Sequence, residues 1–203
     1  MRAFLAVPAD PAWVAAAEPL AGRLRRDLPR ASWTRREAWH LTLKFLGEIS
    51  EEDAERFAAA IAPLAAASRA GALPPGGALL LPPRGRPRVL AVGFGSSERG
   101  AALSELARSA DAAAARIVEP QGSLRRVERE GRRPFRPHVT LARIRDPWPP
   151  SAVAAFREAV ESAELPPFRC DACVLYSSRL NPAGAVHTPL RTLAFAAGAE
   201  VGA

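Results

Sequence analysis

The chain has 203 residues, 48% of them hydrophobic and 24% charged, with two cysteines and a net charge of +7. Such a length admits one or two domains, the apolar fraction builds a sizeable core and argues against a disordered chain, and no apolar run reaches the roughly 20 residues of a membrane-spanning helix. The basic balance suits an anionic partner such as RNA or a nucleotide, but 27 of the 28 basic residues are arginine, and with alanine also abundant a compositional bias that scatters Arg over solvated surface whatever the function accounts for the charge equally well.

Arg2 to Val7 is a short apolar run closed by Pro8, the signal of a buried strand. It is too short for the core of a signal peptide, so a soluble, cytoplasmic protein is expected. From Pro11 to Leu28, Trp13, Val14, Leu20, Leu24 and Leu28 recur at helical steps or multiples of them, with Arg23, Arg25 and Arg26 between. Pro11 falls in the first turn and Pro29 beyond the end, while Pro19 predicts a kink or short break.

Trp39 to Leu46 reads as a strand closed by Gly47. Ser50 followed by Glu51, Glu52 and Asp53 caps a helix running to about Ser68. The Pro- and Gly-rich stretch 71–87 reads as loop, with a short strand at Ala78 to Leu81. Arg88 to Gly95 is a strand, and Ser97 caps a helix to about Ile117. Residues 119–137 form a long polar loop whose basic part, Glu119 to Arg133, either binds RNA phosphates or stays disordered. His138 to Ile144 is a strand and Ser151 to Ser162 a helix; Arg169 to Tyr176 and Pro189 to Phe195 are the last strands.

The order is β-α-β-α-β, then α-β-α-β-β, and each half carries one His-x-Thr-Leu strand. This predicts an α+β fold of two pseudo-symmetric lobes, with antiparallel sheets flanking a central cleft. The halves read as a degenerate internal duplication forming a single bilobal domain over residues 1–203.

Cys170 and Cys173 form Cys-x-x-Cys. A zinc site needs two more ligands at metal spacing, and a thioredoxin-like pair opens a helix after a strand. Here the run Cys170 to Tyr176 reads as a strand, so both are read as small, reduced hydrophobic residues.

The chain has three histidines, and two of them, His40 and His138, stand in the same frame, His-x-Thr-Leu. On a strand alternate residues share a face. His40, Thr42 and Lys44 then point one way, and His138, Thr140 and Ala142 share the equivalent face, while the Leu-bearing faces are buried. Lys44 would add positive charge near a bound anion or simply fill the outer end of the strand. Two imidazoles facing one cleft suit concerted acid–base work, because a reference pKa near 6.5 lies close to working pH. Thr hydroxyls donate to non-bridging phosphate oxygens. Neither motif offers the carboxylate ligands of a magnesium site, and no metal or cofactor is expected.

The stretches H-L-T-L-K-F-L-G-E and R-P-F-R-P-H-V-T-L-A-R resemble the two signatures of the 2H phosphoesterase superfamily. More closely, they are similar to the RNA 2',3'-cyclic phosphodiesterases, long called 2'-5' RNA ligases. The opening R-A-F-L-A-V, the run R-V-L-A-V-G and the ending L-Y-S-S-R-L…H-T-P-L-R fit the same family, so the resemblance covers nearly the whole chain. It implies that His40 is a general acid protonating the departing ribose oxygen, that His138 is a general base activating water, and that Thr42 and Thr140 hold the phosphate. It also implies nucleotide contacts from the residue five past each histidine, Phe45 and Arg143: a ring and a cationic plane for stacking. Their odd offset conflicts with strict alternation and requires a bulge or a strand end; core packing for Phe45 and a solvated charge for Arg143 are the plain alternatives. The loop from Glu119 to Arg133 is longer and more basic than the family pattern. His187 stands where the family more often has an aromatic residue; it reads as a structural residue in a turn before the final strand.

The function implied is metal-independent opening of 2',3'-cyclic phosphate ends of RNA or nucleotides to 2'-phosphomonoesters by a monomer, with 2'-5' ligation as the same chemistry in reverse. Two other readings stay open: a cyclic phosphodiesterase of small molecules (ADP-ribose cyclic phosphate or 2'-5' oligonucleotides), and a non-catalytic RNA- or nucleotide-binding module. Binding alone does not call for two titratable groups, which argues against the last.

Overall fold

The computed structural model describes residues 1–118, 135–181 and 184–198. The basic loop expected from Glu119 to Arg133 lies outside the described residues. The strands are β1 (Arg2–Pro8), β2 (Ser32–Trp33), β3 (His40–Glu48), β4 (Gly71–Leu73), β5 (Pro75–Leu81), β6 (Val89–Phe94), β7 (His138–Arg143), β8 (Phe168–Cys170), β9 (Ala172–Asn181) and β10 (Gly184–Ala194). The helices are α1 (Pro11–Asp27), α2 (Glu51–Ala67), α3 (Glu98–Ile117) and α4 (Pro150–Glu161), with a 3-10 turn at Arg36–Ala38.

Seven strands form one antiparallel ladder in the order β10-β9-β1-β3-β7-β6-β5, β2 adds to β7, and β4 and β8 pair separately. The fold is α+β, with the two His-x-Thr-Leu strands side by side at the centre. There β3 and β7 share a single pair of opposed residues, Leu41 and Val139, whereas each makes a long ladder with its outer neighbour, β1 or β6. The sheet is thus two antiparallel halves joined along a short seam. On the back, α3 packs on β3 and α2, and α2 packs on β9 and β10; α4 packs on β5 and α1. The opposite face carries the histidines.

The core behind the seam is aromatic. Trp13 of α1 is fully buried and meets Trp39, Phe94 and Phe168 edge-on or tilted, at ring separations of 5.7, 6.2 and 5.6 Å. Asp10 caps α1 by accepting from the Trp13 amide and also accepts from the Arg169 amide, so the start of α1 is tied to β8. Burying a large side chain of this kind contributes about 1.5–3 kcal/mol.

Several elements depart from the sequence reading. Helix α1 runs through Pro19 without a break. The carbonyl that Pro19 leaves unpaired belongs to Ala15, an exposed residue, so the lost bond falls on the solvent side of the helix. The stretch 71–87, read as loop with a short strand at Ala78 to Leu81, contains β4 and the whole of β5, which begins earlier, at Pro75. Its glycines serve close approach as well as turning: a Cβ on Gly76 would lie 2.5 Å from the Phe94 carbonyl carbon, and Gly77 has φ +83°. The run Arg169 to Tyr176 is interrupted at Asp171, which separates β8 from β9. That break lets Cys170 and Cys173 both face the core as free, fully buried thiols, pushed by burial up to about 11 and about 12. Strand β10 starts at Gly184, so His187 lies in a strand rather than a turn.

Lys44 is the largest correction. Its side chain does not share the face of His40. It is 6% exposed, on the back of β3, and its Nζ donates to Asp111 of α3. Removing Asp111 leaves the buried lysine ammonium uncompensated, whereas replacing Lys44 by an apolar group of similar volume leaves only a partly exposed carboxylate within reach of water. Asp111→Ala is therefore expected to lower unfolding free energy by about 2–3 kcal/mol, at the low end because Asp111 is partly exposed. Lys44→Met should be near neutral, and the double variant should recover most of the Asp111→Ala loss. Urea titration of the three variants measures this; equal losses in both single variants would contradict it.

Candidate active site

Both histidine strands contain a bulge at the same place. Along the β1–β3 ladder Ala6 faces Thr42 and Leu5 faces Lys44, which leaves Leu43 as the extra residue. Along the β6–β7 ladder Ala91 faces Thr140 and Leu90 faces Ala142, which leaves Leu141 as the extra residue. An extra residue in one strand reverses the alternation beyond it. Before each bulge the His and Thr are half-buried and the residue between them is buried. After it, Lys44 and Ala142 join the buried Leu43 and Leu141, and Phe45 and Arg143 emerge exposed. The bulge thus returns the residue five past each histidine to the histidine face. Ala142, like Lys44, leaves that face.

Extended by one residue each way, the Leu41–Val139 register sets His40 opposite Thr140 and Thr42 opposite His138. The two imidazoles are diagonal neighbours on one face. In a regular ladder such positions lie about 7–8 Å apart, and the splay of the strands beyond the seam adds to that.

Each imidazole is held the same way. The Nδ1–H of His40 donates to the Ala38 carbonyl, and that of His138 to the Arg136 carbonyl, both at 2.7 Å. A carbonyl only accepts, so each Nδ1 carries the proton and each Nε2 is left to act. The supports are built from the chain just ahead of each strand. Ala38 closes the 3-10 turn, and Trp39 is anchored by its indole against Trp13 and by its carbonyl, which accepts from Ala9. On the other strand the Pro137 carbonyl accepts from Phe94.

Burial pushes His40 down to about 4, helped by His187, His138 and Arg143, against the opposing pull of the Ala38 bond. His138 is lowered for the same first reason, burial, with Arg143 adding to it. The guanidinium of Arg143 therefore acts electrically on both rings. Thr42 and Thr140 are half-buried on the same face. Phe45 is 47% exposed, an apolar ring open to solvent. Among the described residues, no three His, Cys, Asp or Glu side chains gather in a way that could hold a metal ion.

Phe4, Tyr176 and His187 were not legible as site residues. Phe4, from the centre of β1, is 3% exposed, and its ring lies 4.8 Å from His40, 6.0 Å from Phe45, 5.3 Å from Tyr176 and 4.8 Å from His187. It is the floor on which the other rings stand. Five consecutive residues of β1 are buried, so the strand has no polar side to mark which face meets the cleft. His187 meets His40 edge-on at 5.3 Å.

A family model described as LigT-like phosphoesterase matches residues 8–91 and 97–187. An RNA 2',3'-cyclic phosphodiesterase of Geobacillus stearothermophilus is 32% identical over 140 residues, covering 69% of this chain and 41% of that protein; the chain spans less than half the length of that relative. The solved structure of TT0787 of Thermus thermophilus superposes with a TM-score of 0.73 at 25% identity, covering 96% of this chain and 97% of that one. Escherichia coli LigT complexed with 3'-AMP shares the fold at a TM-score of 0.61 and 23% identity, over 96% of both chains. With the matched segments running through both histidine strands, the chain belongs to the LigT-like phosphoesterase family.

Proposed function

We propose that this protein is a hydrolase that opens 2',3'-cyclic phosphate ends of RNA or nucleotides to 2'-phosphomonoesters without a metal ion. The observation that carries the reading is the pair of imidazoles, each with Nδ1 tied to the carbonyl two residues back and Nε2 free, on adjacent strands of one face. Two bases of the same kind, held alike on neighbouring strands, suit a displacement with one proton taken and one given. Water attacks phosphorus and loses a proton to Nε2 of His138. The bond from phosphorus to O3' breaks, and O3' takes a proton from Nε2 of His40. Thr42 and Thr140 donate to the non-bridging oxygens, Arg143 balances their charge, and the base of the terminal nucleotide stacks on Phe45. The similarity to a protein named as an RNA 2',3'-cyclic phosphodiesterase supports the choice of a 2',3'-cyclic phosphate as substrate.

The acid must carry a proton, yet burial and neighbouring cations hold His40 near 4 in the empty site. A bound phosphodiester anion favours the imidazolium and raises that value. The free site therefore holds mostly neutral rings, and the anion brings the proton with it.

Incubation of the purified protein with adenosine 2',3'-cyclic phosphate in EDTA should yield the 2'-phosphate. His40→Ala and His138→Ala should each lose on the order of 10²–10⁴-fold in kcat while circular dichroism stays unchanged. A variant that keeps its activity sinks the role given to that residue, and activity lost in EDTA but restored by zinc or magnesium sinks the metal-free mechanism.

The pH profile carries a second test. The profile of kcat/KM reports the free enzyme and that of kcat the bound complex, each with apparent values belonging to the pair. Both histidines are lowered in the free site, so the alkaline limb of kcat/KM should begin below the ordinary histidine value of about 6.5. The limb of kcat should lie at higher pH, because the bound anion raises the acid. Coincident limbs in the two profiles would count against the anion-coupled protonation.

A further inference from the structure

A cavity of about 330 Å³ opens beside His40. It lies beyond the N-terminal end of β3: Pro8, which faces His40 in the β1–β3 register, lines it, whereas Phe45 is toward the other end of the strand, opposite Phe4. His40, Tyr176 and His187 form an aromatic wall, with Val14 and Trp39 also lining it, and Arg36 and Glu37 add polar groups. The mechanism proposed above uses His40 and leaves the rest of this space unassigned.

The lining says what kind of group belongs there. Arg36 is the cation among the lining residues, and its guanidinium is already taken, donating to Glu18 at 2.6 Å and to Glu37 at 2.9 Å. Two carboxylates around one guanidinium repel a phosphate. His40 and His187 are both held toward the neutral form by burial. What suits three aromatic rings, a guanidinium and a carboxylate already paired with each other, and no free positive charge is a neutral, planar ring with polar edges, which is the description of a nucleobase. The volume is near the lower end of the range for ligand pockets, about 300–1,000 Å³, enough for one base and not for a dinucleotide.

His187 carries the second pointer. Its Nδ1 is buried without a hydrogen-bond partner, a costly state for a polar atom. The imidazole torsion is two-fold, so a half-turn exchanges Nδ1 with Cδ2, and because His187 lines the cavity the edge of a base there can offer the ring the bond it lacks. The ring packs on Phe4 and against His40, so the residue that would read the base also touches the reacting imidazole.

We infer that the cavity beside His40 is a second nucleobase subsite, which takes the base of the penultimate nucleotide of an RNA ending in a 2',3'-cyclic phosphate, with His187 and Tyr176 as its specificity-determining residues. The inference rests on the reading that the protein hydrolyses such ends. An RNA with this end continues only in the 5' direction, so a base bound beyond the terminal nucleotide is the penultimate one. A cyclic mononucleotide leaves the cavity empty.

The test compares kcat/KM for adenosine 2',3'-cyclic phosphate with that for the dinucleotide ApA ending in the same cyclic phosphate. The wild type should favour the dinucleotide by about tenfold, the scale of one base stacked on aromatic rings. His187→Ala removes a wall and Val14→Trp fills the space from α1 while leaving His187 and Tyr176 unsubstituted; both should bring the ratio toward one, whatever happens to the mononucleotide rate. A wild-type ratio of one, or a ratio that survives in both variants, overturns the subsite and leaves the hydrolase reading standing. A wild type that turns over neither substrate overturns the reading itself and the subsite with it.

Discussion

The site depends on an extra residue in each of two strands. A regular strand puts the residues at even offsets from a histidine on its own face, so a cleft built on alternation would collect His40, Thr42 and Lys44 from one strand and His138, Thr140 and Ala142 from the other. The bulges at Leu43 and Leu141 change that set. The lysine and the alanine go to the back, and a phenylalanine and an arginine come forward. Each strand thereby presents an acid–base group, a hydroxyl, and then a group shaped for a planar ring or an anion, without a loop supplying any of them. Groups held on strands are placed more closely than groups held on loops, and the bulges let a pleated surface carry odd as well as even offsets.

The back of the sheet is arranged to hold these irregular strands in register. A bulge gives up ladder bonds and bends its strand. Behind the first one, Lys44 reaches Asp111 on α3, and just ahead of the strand Trp39 lies against Trp13. The 3-10 turn that precedes β3 then supplies the carbonyl that fixes the tautomer of His40. Tautomer, ring orientation and strand register are thus set by one continuous piece of chain from Arg36 to Lys44. The second strand repeats the carbonyl support through Arg136, but Ala142 has no charge to anchor, so its bulge is packed by apolar contact alone. The two halves share the geometry of the face and differ in what secures it.

Much of this was legible in the residues. The two His-x-Thr-Leu strands, the antiparallel α+β order, and the caps at Ser50 and Ser97 are local signals: a hydroxyl three residues ahead of an amide, or an apolar run ended by Gly or Pro. What was hidden needed a partner strand to define it. A bulge exists only relative to the neighbouring ladder, so Lys44 could not be assigned its face from its own strand. The glycines at 76 and 77 read as loop because their fit against Phe94 is a tertiary fact. Phe4 was concealed by its own surroundings, since a strand buried on both faces shows no alternation. His187 read as a turn residue because Pro189 suggested a strand start, whereas the structure accommodates that proline at a register shift between Pro189 and Arg191.

The electrostatics of the cleft follow from this placement. Arg143 and the three imidazoles crowd a half-buried face, and the carboxylate nearest to His40 in the chain, Glu37, is engaged by Arg36. With no free anion supplied by the described residues of the lining, the cheapest state of the empty site is one in which the imidazoles are neutral, which is the direction burial and Arg143 both push them. Such a site has an unmet preference for one negative charge at the point between the histidines, and a cyclic phosphodiester carries one. The cavity beyond His40 has the opposite character, with its guanidinium already paired and its rings uncharged. A charged centre next to an uncharged aromatic recess is the pattern a nucleic acid end presents in reverse, phosphate first and base beside it. The division between the two is made by His40 itself, which faces the seam with one side of its environment and His187 with the other.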